Sequence, residues 1–284
     1  MNNYTTSKEG DFRQLVFYFF LSFLLSWLYM IPNALFSHGL ISSPPPVLLS
    51  YIAAYGPAFS AIVTITIFNK KKLGELFSRI IIWRVHIKWY LVALLLQPVF
   101  MLVTIGISYL FGFAPDFRSA MIFKIGMGVT PENMLAFLLP FFLLQVISVL
   151  GEEIGWRGYA LPNLLSKKGW VMSGLILGVL WAVWHVPLFL TAESVQSEMF
   201  PVWYFADLMA SSLIFVWLFL HTKGSVLIAT LLHGSINTFA IFLPIVPIRS
   251  SSILPFIVLV LLKWGFVTVL VLLQQGTKHI QREY

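Results

Sequence analysis

The chain has 284 residues, of which 59% are hydrophobic and only 10% are charged. This composition excludes a soluble globular domain, in which about a quarter of the residues are charged. The chain has no cysteine, which excludes disulfides, thiolate metal sites and a cysteine nucleophile. We therefore expect an all-α fold: one integral membrane domain, 1–284, with lipid as its main solvent.

Eight long apolar segments follow one another along the chain, separated by short polar or proline-containing linkers. A membrane-spanning helix needs about 20 apolar residues, so each segment predicts a transmembrane helix. The sequence thus predicts a bundle of about eight transmembrane helices. In chain order the segments are 15–36, 47–68, 88–112, 134–156, 171–190, 202–220, 224–243 and 253–274.

The basic residues are unevenly distributed among the linkers. Most of the 18 lysines and arginines fall at the two termini and in the linkers after the second, fourth and sixth segments. Cytoplasmic loops carry such an excess, so both termini are predicted to be cytoplasmic. The net charge of +7 is then a consequence of topology, and we predict no nucleic-acid partner.

The fourth segment ends in VLGEEIGWRGYALP, which places two carboxylates, Glu152 and Glu153, next to each other. A carboxylate at membrane depth costs about 2.5–3.5 kcal/mol on insertion scales. Glu153 and Arg157 are four residues apart and can pair on one helix face. Glu152 has no such partner on its own helix, which makes it a candidate for chemistry.

Two later segments also carry polar side chains at helical spacing. The fifth contains His185, four residues after Trp181, and the seventh contains His233, four residues before Asn237. Buried polar groups must find partners inside a membrane protein, so these faces and the Glu152–Glu153 face are expected to meet around one cavity.

Such a cavity admits several related chemistries. A carboxylate beside an imidazole can deprotonate water, and an amide with a histidine N–H can stabilise an oxyanion. Alternatively, Glu152, His185 and His233 are a donor set for Zn²⁺, whose bound water is a nucleophile. All of these favour hydrolysis of an acyl bond, with a peptide as the natural substrate in a membrane. The HExxH, GxSG and GxGD motifs of other membrane proteases are absent from the sequence.

Four further features carry weaker expectations. Gly174 and Gly178 form a GxxxG pattern that predicts close helix packing. Lys263, in the middle of the last segment, could pair with a buried acid or face a cavity. Asp207 lies near a segment end and is expected to be interfacial. The many Phe and Trp residues are expected to face lipid.

Three motifs, taken in order, resemble those of the CPBP family of CAAX-protease and bacteriocin-processing membrane proteins. EEIGWRGYALP matches the family's EExxxR motif, WAVWHVP is similar to its FxxxH motif with Trp181 in place of Phe, and HGSIN matches its HxxxN motif. The resemblance covers about 135–240, which would form the catalytic core.

The resemblance implies a role for each motif residue. Glu152 resembles the general base that activates water together with His185, and His233 and Asn237 resemble the oxyanion stabilisers. Glu153 and Arg157 resemble a supporting pair.

The sequence therefore predicts an intramembrane endopeptidase, in a bacterial plasma membrane, that cuts a membrane-associated peptide or protein and has membrane lipid as its other partner. The alternative is a non-catalytic membrane scaffold or regulator, or a bacteriocin self-immunity protein. A transporter is a more distant alternative, because no internal repeat is visible.

Overall fold

The computed structural model describes residues 3–113, 116–124, 126–192, 194–245 and 252–274, without the side chains of residues 3–11 and 71. Every regular element in these ranges is helical, and they contain no strand. The all-α fold class is therefore confirmed. Residues 1–2 and 275–284 lie outside the described ranges, so the cytoplasmic placement of both termini stays a prediction.

Each of the eight apolar segments forms helix. The first four correspond to α1 (Asn3–Ser37), the bent pair α2 (Val47–Ala54) and α3 (Gly56–Phe68), α5 (Ile87–Leu110) and α6 (Met134–Gly155). The last four correspond to α8 (Trp170–Trp184) with α9 (Val186–Phe189), α10 (Pro201–His221), α11 (Val226–Phe242) and α12 (Leu254–Gln274). Two short helices, α4 (Leu73–Ile80) and α7 (Leu161–Leu165), lie between them.

In the part of the chain that the structure describes, five helices are long and apolar enough to cross a membrane: α1, α5, α6 with its extension to Leu165, α10 and α12. The pair α2–α3 adds a sixth if it is one span bent by 64°. The apolar helices α8 and α11 are shorter. The protein is thus a polytopic membrane protein, and the full number of eight crossings remains a prediction.

The bend between α2 and α3 is caused by Pro57. A proline inside a helix removes one hydrogen bond and collides with the carbonyl four residues earlier, here that of Ala53. The Ser26 hydroxyl of α1 donates to this carbonyl at 2.8 Å. The bend packs against α6 at two glycines: a Cβ on Gly151 would lie 2.7 Å from the Tyr55 Cα, and one on Gly155 would lie 2.5 Å from the Pro57 carbonyl carbon.

A second proline, Pro187, ends α8 at His185. Because the helix stops there, the Trp184 carbonyl accepts a hydrogen bond from the Trp27 indole of α1 at 3.0 Å instead of from its own helix. The histidine therefore sits at a helix end, where its ring can turn toward neighbouring helices.

The close packing predicted from Gly174 and Gly178 is confirmed, and it joins α8 to α10. A Cβ on Gly174 would lie 2.7 Å from the Leu213 side chain, and one on Gly178 would lie 2.9 Å from the Met209 Cα. The Ser212 hydroxyl donates to the Gly174 carbonyl at 2.8 Å across the same contact. Helix α10 also packs on α11 and α12, which makes it central to the bundle.

The expectation that the tryptophans face lipid is wrong for four of them. Trp156, Trp170, Trp181 and Trp184 are at most 8% exposed and belong to the main core. In a membrane protein, apolar character alone does not separate helix faces that meet lipid from those that meet protein.

Candidate active site

A cavity of about 330 Å³ opens between α5, α6, α8, α10, α11 and α12. Glu152, His185, His233 and Asn237, the four predicted catalytic residues, all line it. The structure thus brings together side chains that lie up to 85 positions apart in the sequence, on three different helices. Glu153, which we expected to line the same cavity, does not.

Glu152 lies in the last turn of α6 and is half-buried. Its Oε2 atom accepts a hydrogen bond from the Trp181 indole N–H at 2.9 Å. This donor fixes one carboxylate oxygen and leaves Oε1 for another ligand. A phenylalanine at position 181, as in the family's motif, could not make this contact.

His185 is oriented by the same tryptophan. Because α8 ends here, the His185 backbone N–H donates to the Ala182 carbonyl, and the imidazole Nδ1 lies 2.8 Å from the Trp181 carbonyl oxygen. A carbonyl only accepts hydrogen bonds, so Nδ1 carries the proton and Nε2 is the nitrogen left for the cavity. The ring packs edge-on against Trp184 and Tyr204, with centroids 4.8 and 5.7 Å apart.

Glu153 and Arg157 form an ion pair behind the cavity. Arg157 lies in one turn of π-helix, Trp156–Ala160, that follows α6, and its Nη1 atom donates to Glu153 Oε1 at 2.7 Å. Both side chains are fully buried. The guanidinium lies between the rings of Trp181 and Phe215, with its Cζ 4.5 and 3.9 Å from their centroids. Such cation–π contacts partly replace the lost hydration.

This ion pair orients the second histidine. Glu153 Oε1 also accepts from His233 Nδ1 at 2.8 Å. The carboxylate thereby fixes the ring and directs Nε2 toward the cavity, as an orienting acid does for a catalytic imidazole. The predicted supporting pair therefore contacts a cavity residue directly, although its role in a reaction stays a prediction.

Asn237 is one turn beyond His233 on α11 and donates from its amide to Gln145 Oε1 of α6 at 3.3 Å. One of its two N–H donors remains for another acceptor. Further side-chain amides, those of Gln97 and Gln196, line the cavity among apolar residues. Amides can pair with both the N–H and the C=O groups of a peptide.

The predicted zinc donors do not form a ready site. Within the described residues, no group of three His, Asp or Glu side chains is placed to hold a metal. His233 also uses its Nδ1 on Glu153, which leaves only Nε2 as a donor. The mechanism proposed for this site therefore uses no metal. Zinc binding by Glu152, His185 and His233 stays a prediction, which metal analysis of the purified protein tests.

Sequence reasoning missed two features of the cavity wall. Trp181 was expected on the same helix face as His185, but its hydrogen bond to Glu152 was not predicted, because that contact joins two helices. Asp207 was expected only to be interfacial, which stays a prediction; its place on the cavity wall was missed. It is 9% exposed, lines the cavity and pairs with Lys263 of α12 at 2.8 Å. The expectation that Lys263 could pair with a buried acid is confirmed.

Comparison with known proteins adds to this geometry. Residues 134–239 match the model of the family described as "Type II CAAX prenyl endopeptidase Rce1-like". The chain is also 29% identical over 159 residues to a protein of Methanococcus maripaludis named "CAAX prenyl protease 2". That alignment spans 54% of this chain and 56% of the relative. Both comparisons thus find a likeness to the CAAX-protease family that the three motifs predict, and the family model covers the part of the chain that carries the cavity.

Proposed function

We propose that this protein is an intramembrane endopeptidase that hydrolyses a peptide bond with water activated by Glu152 and His185. The observation that carries the proposal is the meeting of Glu152, His185, His233 and Asn237 on one cavity. The family match over 134–239 supports the reaction class. The helices that can cross a membrane support an integral membrane protein, and the bacterial plasma membrane is the proposed location.

The first step is deprotonation of water. Trp181 occupies Glu152 Oε2, so we assign Oε1 as the base. His185 Nε2 accepts the second O–H of the same water and orients it. The water oxygen then attacks the carbonyl carbon of the substrate while its proton passes to Glu152.

The second step is collapse of the tetrahedral intermediate. The free N–H of Asn237 and an N–H at His233 Nε2 donate to the oxyanion. A donor at Nε2 requires the imidazolium form, because Nδ1 already donates to Glu153. Protonated Glu152 returns its proton to the leaving nitrogen, and the C–N bond breaks to give a carboxylic acid and an amine. The acid then transfers its remaining proton to the amine, so the products leave as a carboxylate and an ammonium.

The lining of the cavity indicates a membrane-associated peptide or protein as substrate. Apolar side chains suit a segment that partitions into lipid, and the four amides suit its backbone. The relative from Methanococcus maripaludis is named a prenyl protease, so a prenylated CAAX peptide is the first substrate to test. Membrane lipid is the other partner.

New protein termini test the proposal in cells. Membranes from cells that express the wild type are compared with membranes from cells that express Glu152→Ala or His185→Ala at matched levels. We expect termini that appear only with the wild type, and these also identify the substrate. Equal cleavage by both variants would contradict the assignment of the site.

A further inference from the structure

A second buried charged group lies on the cavity wall, formed by Asp207, Ser211 and Lys263, and we refer to it as the Asp207 cluster. Lys263 Nζ lies 2.8 Å from Asp207 Oδ1, 3.0 Å from Oδ2 and 3.1 Å from the Ser211 hydroxyl. The mechanism proposed above uses none of these residues.

Stability does not account for this cluster. Removing two charges from water is costly, and replacing a buried ion pair by apolar residues of similar volume is often neutral or stabilising. Ionisable residues inside a membrane protein more often mark a pathway or a binding site.

The geometry places the carboxylate, not the ammonium, on the cavity. Asp207 and Ser211, four residues apart on α10, line the same cavity as Glu152 and His185. Lys263 lies behind them and borders a small void beside Gln97. The Asp207 side chain is 12% exposed, whereas that of Lys263 is 1% exposed.

The cluster lies close to the catalytic residues. Tyr204, three residues before Asp207 on α10, packs against the His185 ring with centroids 5.7 Å apart. Three residues of helix advance about 4.5 Å, and each residue of an extended peptide covers about 3.3–3.6 Å. A peptide that is cut at Glu152 and runs along α10 would therefore reach Asp207 within about three residues of the cut.

We propose that the Asp207 cluster is a substrate subsite in which the Asp207 carboxylate accepts a hydrogen bond from a backbone N–H within about three residues of the scissile bond. An ionised carboxylate can only accept, and Lys263 balances its charge. The subsite thus favours an uncharged residue with a free amide N–H and disfavours an acidic side chain. This inference rests on the proposed function and extends it to the class of substrate.

N-methylation of the substrate tests the subsite. The probes are synthetic prenylated CAAX peptides, each with one backbone N–H replaced by N–CH₃. Their binding is measured to two proteins in liposomes. The first protein carries Glu152→Gln; the second, the neutral-pair protein, also carries Asp207→Asn and Lys263→Gln, which replace the ion pair by neutral side chains of similar shape. At one position near the cut we expect methylation to weaken binding at least about tenfold in the first protein, because the lost bond has a charged acceptor. In the neutral-pair protein we expect methylation at that position to weaken binding little.

Three outcomes separate the subsite from the proposed function. An equal penalty in both proteins at every position would overturn the subsite and leave the function standing. Binding with the expected penalty but without cleavage by the wild type would overturn only the function. Absence of binding to both proteins would overturn the subsite for prenylated CAAX peptides, and the comparison of new protein termini would then decide on the proposed function by itself. If the neutral pair does not fold, Asp207→Leu with Lys263→Met replaces it and is expected to show the same loss of the penalty.

Discussion

Two buried ion pairs lie near the cavity, but they are built differently: one lies behind the cavity, and the other places its acid on the cavity wall. Glu153 and Arg157 are four residues apart on continuous helix, fully buried, and joined to His233 through one carboxylate oxygen. Asp207 and Lys263 come from two helices and are 56 positions apart, and the acid lines the cavity. The first pair is suited to hold a catalytic ring in place, and the second is suited to meet a substrate.

Breaking the first pair should have the largest effect on stability. Glu153→Gln leaves the fully buried Arg157 without its counter-charge, and loss of one partner in such a pair costs about 3–5 kcal/mol. We expect a large decrease in the free energy of unfolding in detergent micelles, together with a loss of activity because the His233 ring then meets a neutral amide oxygen instead of the carboxylate that orients it. A stability equal to that of the wild type would contradict the arrangement described for Arg157.

Breaking the second pair should cost less. Lys263→Met leaves Asp207 unpaired, but that carboxylate lines a cavity where water can reach it. We expect the free energy of unfolding to fall by about 2 kcal/mol, below the range for a fully buried pair. The matched control is Ser211→Ala, which removes one acceptor of Lys263 and leaves the ion pair intact. A loss for Lys263→Met as large as that for Glu153→Gln would remove the distinction between the two pairs.

Trp181→Phe tests how the Glu153–Arg157 pair is connected to the proposed base, Glu152. Phenylalanine keeps the aromatic face against Arg157 but cannot donate to Glu152. Hydrogen bonds to charged groups contribute about 1.5–3 kcal/mol, so we expect kcat to fall about tenfold or more with little change in KM or melting temperature. An unchanged kcat would show that the indole N–H does not position the base. The control is Trp184→Phe, because the Trp184 ring is also buried but makes no hydrogen bond to Glu152.

Replacing the second pair as a whole should have the smallest effect on stability. Asp207→Leu with Lys263→Met removes both charges together, and such replacements are often neutral or stabilising. We expect the free energy of unfolding to stay within about 1 kcal/mol of the wild type, measured beside the Lys263→Met single variant. A double variant less stable than the single variant would mean that the pair itself stabilises the fold.

Much of the fold follows from the sequence, because long apolar segments can only form helices in lipid. The site residues could be predicted because spacing of four residues places Glu153 with Arg157 and His233 with Asn237 on common faces. The three motifs, each on a different helix, added the expectation that these faces meet.

What the sequence left open depends on contacts between helices. The hydrogen bond from Trp181 to Glu152 joins α8 to α6, and the ion pair of Asp207 with Lys263 joins α10 to α12. No local sequence pattern encodes either contact. The burial of Trp156 and Trp184 was missed for the same reason, since lipid and protein interiors favour the same apolar side chains.

The most direct test of the central claim is the cleavage rate of a purified, reconstituted protein with Glu152→Gln. Glutamine keeps the shape of the side chain and can still accept from Trp181, but it cannot take a proton from water. General base catalysis contributes about 10²–10⁴-fold, so we predict a fall of at least about 100-fold at an unchanged melting temperature. Cleavage within about threefold of the wild type, against the 100-fold expected, would contradict the claim that Glu152 activates the water.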